Sequence, residues 1–226
     1  RQLIMTLSTG FQAMFGNMLA NHESKELNTR FKKYEWTMHT IVVIMFSCVG
    51  ILIVPFISVY TKGINDANYY QPVFAILITF ANAVYCVRVP YNTMVLAAGH
   101  YKQTQMSAII EMLLNVIVSI ILVFKFGLIG VAIGTLIALT YRTVYLAVYL
   151  SHNILEYSIT NFLRNVGIDF LSVAIIVLLT YPMKLRELSY ISWCVLALQV
   201  FATVLLVAII INLIFNRNYI LEVIKG

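Results

Sequence analysis

Residues 72–99 read PVFAILITFANAVYCVRVPYNTMVLAAG, and this stretch decides the class of fold. It is long enough to cross the hydrocarbon core of a bilayer, which takes about 17–25 helical residues. It carries one charge, Arg88, two residues before Pro90. Two more apolar runs follow, 105–124 and 128–150, holding Glu111 and Arg142 as their single charges. Charges in hydrocarbon-length segments are costly and usually persist because a cavity or a polar cargo uses them.

Outward from this region the pattern repeats. Further apolar spans are expected at 36–60, 166–181 and 191–215, with a partial one at 2–20 interrupted by Gly10 and Gly16. The fold class is therefore all-α, a polytopic transmembrane helix bundle of six full spans plus one partial. Composition agrees: of 226 residues 61% are hydrophobic and 11% charged, against about 45–50% and about 25% in soluble domains. Lipid must be the solvent for most of the chain. The connections are short, so neighbouring spans should pack antiparallel. The organisation expected is the end of a preceding helix plus a cytoplasmic loop over 1–35, then one membrane bundle over 36–226. An opening on Arg1-Gln2 inside an apolar segment, without a signal peptide, suggests a piece of a longer protein.

The net charge of +6 is spread over connections rather than gathered in a patch with interleaved aromatics, which argues against nucleic acid. Lys25, Arg30, Lys32, Lys33, Lys102, Arg164, Arg217 and Lys225 fall on one side of the alternating topology; Lys62, Lys125, Lys184 and Arg186 fall on the other. Lys and Arg favour the cytoplasmic side, so the C-terminus is expected there, in a multi-pass protein of the cytoplasmic membrane. Tyr141, Tyr145 and Tyr149 recur every four residues, as an interfacial belt or a packing stripe would, and Tyr69 and Tyr70 mark the opposite edge.

Arg88 beside Pro90 reads as a cavity-facing cation at a kink, because proline frees a carbonyl one turn back, at Cys86. The alternative is an arginine snorkelling from a helix end. Glu111, Asn115 and Ser119 share one helix face, and a polar stripe in an apolar helix should face protein or water. Glu111 is a candidate partner of Arg88 or Arg142, as an ion pair or a coupling site. Gly130, Gly134 and Ala138 form a small-residue face for close helix packing, and Gly127 suits a tight turn. No P-loop Lys-Ser/Thr, GxSxG or HExxH occurs, and the histidines (His39 in a span; His22, His100 and His152 in or near loops) are scattered. Neither an enzyme, a metal site nor a cofactor is expected. Cys48, Cys86 and Cys194 all fall in apolar runs and read as buried free thiols. Asp169, after Asn165, reads as a helix-start charge.

The order of elements adds a resemblance. Arg88-Val-Pro-Tyr-Asn-Thr-Met-Val-Leu-Ala-Ala-Gly99-His-Tyr-Lys102-Gln-Thr104 is followed by Glu111-Met-Leu-Leu-Asn115 and by Lys125-Phe-Gly-Leu-Ile-Gly-Val-Ala-Ile-Gly-Thr135. This series resembles the C-terminal half of the polysaccharide-export flippases, which move lipid-linked oligosaccharide such as O-antigen. They belong to a superfamily that includes MATE-like drug antiporters and lipid II flippases. The resemblance covers about residues 72–150 well and the flanks mainly by hydropathy. It implies the C-terminal lobe of a two-bundle transporter, facing a missing N-terminal bundle of the same protein across a cavity. The cargo implied is a polyprenyl-diphosphate-linked oligosaccharide. Arg88, Arg142 and Lys102 would attract the diphosphate, while Asn82, Asn92 and Asn115 would bind sugar hydroxyls. A cation-coupled multidrug antiporter is the rival within transport, although one would want more carboxylates than Glu111. A non-transporting scaffold of glycan assembly is the rival from another class.

Overall fold

The computed structural model describes residues 1–64 and 66–220. The helices are α1 Gln2–Ala20, α2 Ser24–Tyr60, α3 Pro72–Val87, α4 Val89–Ala97, α5 Tyr101–Phe126, α6 Leu128–Asn153, α7 Ile159–Thr180 and α8 Tyr190–Phe215. No strand occurs among the described residues. Taking α3 and α4 together, six helical stretches are long and apolar enough to cross a membrane. Their outward faces carry bare side chains such as Phe124, Leu178 and Ile191, 87%, 73% and 79% exposed. Such surfaces are stable only in lipid or against another apolar body.

Three local features differ from the expectation. Residues 24–35 are the first three turns of α2 rather than loop. Leu27, Phe31 and Tyr34 line the buried face of these turns, while Arg30 pairs with Glu26 on the outer face, Nη2 to Oε1 at 2.6 Å. That amphipathic pattern extends the helix. At 1.5 Å per residue α2 is about 55 Å long, against a core of about 30 Å, so a helix that crosses the hydrocarbon also projects well beyond it. Second, α7 starts at Ile159, where the Ser158 hydroxyl accepts the Thr160 N–H. Asp169 is consequently in the helix interior, not at its start. Third, Cys194 is exposed on α8, whereas Cys86 is buried and Cys48 half-buried. Around Cys194 the α8 sequence is apolar on every side and gives no clue to which face meets lipid, so an apolar run did not imply burial there.

The α3–α4 stretch breaks at Arg88, where Pro90 lacks an N–H. The Cys86 carbonyl is taken by a backbone N–H of the cap instead. Helix α6 lies against α3 and α5, while α2 lies against α3, α7 and α8, and α1 against α4. Two apolar cores result. One gathers Phe15, Phe31, Tyr91, Leu146 and Leu150; the other joins Val43, Ile176, Val200 and Val204. One end of the bundle is tied by Asn28 Nδ2 donating to the Glu156 carbonyl and by His100 Nδ1 meeting Tyr149 Oη, both 2.9 Å. The opposite end is tied by Lys62 Nζ donating to the Leu188 carbonyl, 2.9 Å. Lys225 and its proposed part in the charge asymmetry lie outside the described residues.

Candidate functional site

Arg88, Glu111 and Arg142 come from three different helical stretches and meet. Arg88 Nη1 donates to Glu111 Oε1 and Arg142 Nη1 to Glu111 Oε2, each at 2.8 Å. The break before Pro90 sets Arg88 at the junction of α3 and α4, and its side chain is 8% exposed. It therefore does not snorkel. Its guanidinium also covers the Tyr85 ring, 4.5 Å to the centroid. Glu111 and Arg142 are 15% and 22% exposed. Ten residues beyond Tyr101, Glu111 lies about 15 Å along α5, deep in the bundle. One carboxylate between two guanidinium groups leaves the triad with a net charge of +1. Arg142 Nε is buried and without a hydrogen-bond partner. The site thus holds positive charge and an unused donor in a low-dielectric setting, where an anion gains most.

The α5–α6 hairpin fixes this geometry. Gly127 turns the chain at φ 56°, where a side chain would be strained. A Cβ on Gly130 would come within 2.4 Å of the Leu122 backbone, and one on Gly134 within 2.3 Å of Ser119 Oγ. Ala138 is buried one turn further along. Asn115 lies in the same seam: its Oδ1 accepts from Ser119 Oγ at 3.2 Å and Thr135 Oγ1 at 3.3 Å. The remaining candidates lie apart. Asn82 donates to the Ile78 carbonyl of its own helix at 2.7 Å, Asn92 is half-buried one turn after Arg88, and Lys102 is exposed at the start of α5. The Tyr141, Tyr145 and Tyr149 rings form a continuous stripe with centroids 6.2 and 6.1 Å apart. They line an open apolar groove of about 560 Å³ with Val144, Val148 and His152.

A second polar cluster was not foreseen. Glu35 and His39 share one face of α2, and both are buried. Tyr91 and Tyr157 both donate to Glu35 Oε1, the latter at 2.5 Å. His39 Nδ1 meets Asp169 Oδ2 at 2.5 Å, and its Nε2 faces Tyr91 Oη at 3.4 Å. Phe31 and Phe162 jacket the two tyrosines edge-on. Burial, reinforced by the Glu35 carboxylate, pushes the Tyr157 hydroxyl well above its ordinary value, so it stays a donor. Beside His39 and Asp169 a polar cavity of about 20 Å³ is walled by Thr40, Asn165, Ser172, Asn212 and Asn216. The sequence signal available was the Glu35/His39 pair, spaced i, i+4 between the buried positions Phe31 and Val43. Its partners Tyr157 and Asp169 carry no local mark.

No protein-family model matches the chain, and no curated protein matches its sequence. A solved structure described as "Lipid II flippase MurJ, inward closed conformation" is similar, with a TM-score of 0.68 at 20% identity. The match covers 94% of this chain and 44% of that one, so this chain spans less than half of that protein's length. At this identity the likeness is one of fold alone.

Proposed function

We propose that the chain is part of a flippase that moves lipid-linked oligosaccharide across the cytoplasmic membrane for cell-surface polysaccharide biosynthesis. The observation that carries this reading is the buried, net-positive Arg88–Glu111–Arg142 triad, set deep within apolar helices. The fold shared with a lipid II flippase supports it. In this reading a second bundle of the same protein faces this one, and the cargo crosses between the two lobes by rocking.

Glu111 holds both guanidinium groups in place when no cargo is present. A diphosphate then competes for them with its own oxygens, and Arg142 Nε supplies an extra donor. The planar fork of arginine suits such a group. Lys102, at the exposed start of α5, draws the anion to the opening. Asn82 and Asn92, on the same helical stretch as Arg88, face the sugar, while Asn115 acts through the α5–α6 seam that seats Glu111. The prenyl chain stays in lipid. The Lys and Arg distribution supports a C-terminus on the cytoplasmic side.

The test is export of labelled lipid-linked glycan in cells lacking the protein and complemented with the complete parent chain. Glycan trapped in the inner leaflet and rescued by that chain supports flipping. Arg88→Ala should then abolish export without lowering abundance. Unchanged glycan display with altered tolerance of cationic drugs would replace this reading with an antiporter.

A further inference from the structure

We infer that the small polar cavity between α2, α7 and α8 is a binding site for one water molecule, which joins α7 to α8 inside the bundle. The inference does not depend on what the bundle carries. The cavity measures about 20 Å³. One water needs about 10–15 Å³ and two to four polar partners, so the space takes a single heavy atom and no larger ligand. Thr40 of α2, Asn165, Asp169 and Ser172 of α7, and Asn212 and Asn216 at the end of α8 supply polar walls. Ser172 and Asn212 are both buried.

The bonding capacity left in these walls selects the ligand. Ser172 Oγ gives its single proton to the Ile168 carbonyl at 2.7 Å, so it retains only the ability to accept. Asp169 meets His39 through Oδ2, and a carboxylate has room to accept more than one bond. On the other side, Asn212 Nδ2 donates to the Ala208 carbonyl at 2.9 Å and Asn216 Nδ2 to Asn212 Oδ1 at 3.3 Å. Each of those amide nitrogens carries a second hydrogen. Helix α7 thus has acceptors to spare and α8 has donors. A cation would suit the first set and be repelled by the second; an anion would meet the Asp169 carboxylate. Water donates to one and accepts from the other. The frame shows what this adds. Trp36 Nε1 to Asn212 Oδ1, 2.5 Å, ties α2 to α8, and His39–Asp169 ties α2 to α7. Among the described residues the direct side-chain bond near the α7–α8 seam is Arg164 Nη2 to the Phe215 carbonyl, 2.6 Å, made by an exposed arginine. A water between Ser172 and Asn212 closes the third side of the triangle in the interior.

The experiment is a density map of the complete parent chain in lipid nanodiscs, at a resolution that shows ordered waters. One solvent peak is expected in the cavity, with polar contacts of about 2.7–3.2 Å to both α7 and α8. A map without the peak overturns the inference. So does a peak whose contacts are shorter and all to oxygen, which marks a cation. Radiolytic hydroxyl labelling checks the same site in solution, because a bound water labels the side chains beside it. His39 lines the cavity and is 3% exposed, yet it should be labelled in the wild type. Ala208→Val adds methyl groups to the cavity wall and should lose most of that labelling. Ser172→Ala removes an acceptor without filling the space, and it should lower the labelling even if Ala208→Val does not fold. An unlabelled His39 in the wild type, or equal labelling in wild type and folded variants, overturns the inference as well.

Discussion

The two polar clusters of this bundle are built on opposite plans. The Arg88–Glu111–Arg142 triad draws its members from α3–α4, α5 and α6, bears a surplus of cation, and is held by ion pairs, with the Tyr85 ring against Arg88. The Glu35–His39–Asp169 cluster joins α2 to α7 and surrounds its carboxylates with hydroxyls and an imidazole. The first cannot neutralise itself by moving a proton, because arginine keeps its charge under all ordinary conditions. The second holds its carboxylates with hydroxyls and an imidazole in place of fixed cations. Fixed charge suits attraction of an anion, whereas a web of hydroxyl donors suits fastening one helix to another.

Removal of a carboxylate should separate the two plans most strongly. Glu111→Gln leaves the buried Arg88 and the partly buried Arg142 without a counter-charge, a loss of up to about 3 kcal/mol, visible as a fall in the folded fraction recovered from membranes. Glu35→Gln keeps an amide oxygen as acceptor for Tyr91 and Tyr157 and strands no arginine, so its recovery should fall less. Equal losses in the two variants would mean that the clusters do not differ as described.

A packing change should disturb the triad alone. Gly134→Leu pushes against Ser119 and must separate α5 from α6, drawing Glu111 away from Arg142. Overpacking of this kind costs about 1–3 kcal/mol, and a thermal melt in detergent should show it. Cross-linking of α2 to α7 should be unchanged in that variant; a change would join the two clusters into one system.

Tyr157→Phe sharpens the comparison from the other side. It removes one hydrogen bond to Glu35 and should cost about 1 kcal/mol, with protease sensitivity rising in the 154–158 connection and not in the α5–α6 hairpin. The smallest effect belongs to the surface. Arg30→Ala breaks an exposed i, i+4 pair with Glu26 and should change the melting midpoint by the equivalent of about 0.3 kcal/mol. A larger loss would show that the projecting turns of α2 carry more of the fold than their exposure indicates.

The contrast also explains what could be read from the chain in advance. Arg88, Glu111 and Arg142 are the lone charges of three successive apolar runs, so each was conspicuous before any pairing was known. The small face of Gly130, Gly134 and Ala138 was equally legible, because helical spacing alone places it on one side. Glu35 escaped notice because it follows Lys32 and Lys33, and a run of charges there resembled a loop. The burial of Leu27, Phe31 and Tyr34, which turns that run into helix, depends on α1, α4 and the α6–α7 connection. Asp169 was misplaced by a helix boundary: Ser158 starts α7 well before the apolar run begins. Asn115 was visible as polar, but whether it faces a cavity or a neighbouring helix was decided only by Thr135 and Ser119 coming within reach.

The Gly127 turn has a consequence for biogenesis. With a single residue between them, α5 and α6 have to leave the translocon as a pair. The pair carries Glu111 on one arm and Arg142 on the other, already in register through the Gly130 and Gly134 contacts. What would be two segments each with a charge at membrane depth, expensive to insert alone, enters the bilayer as one hairpin in which Glu111 and Arg142 cancel, with Lys102 and Lys125 near the ends of α5. Arg88, synthesised earlier, then waits in its own span until that hairpin arrives with the carboxylate it needs.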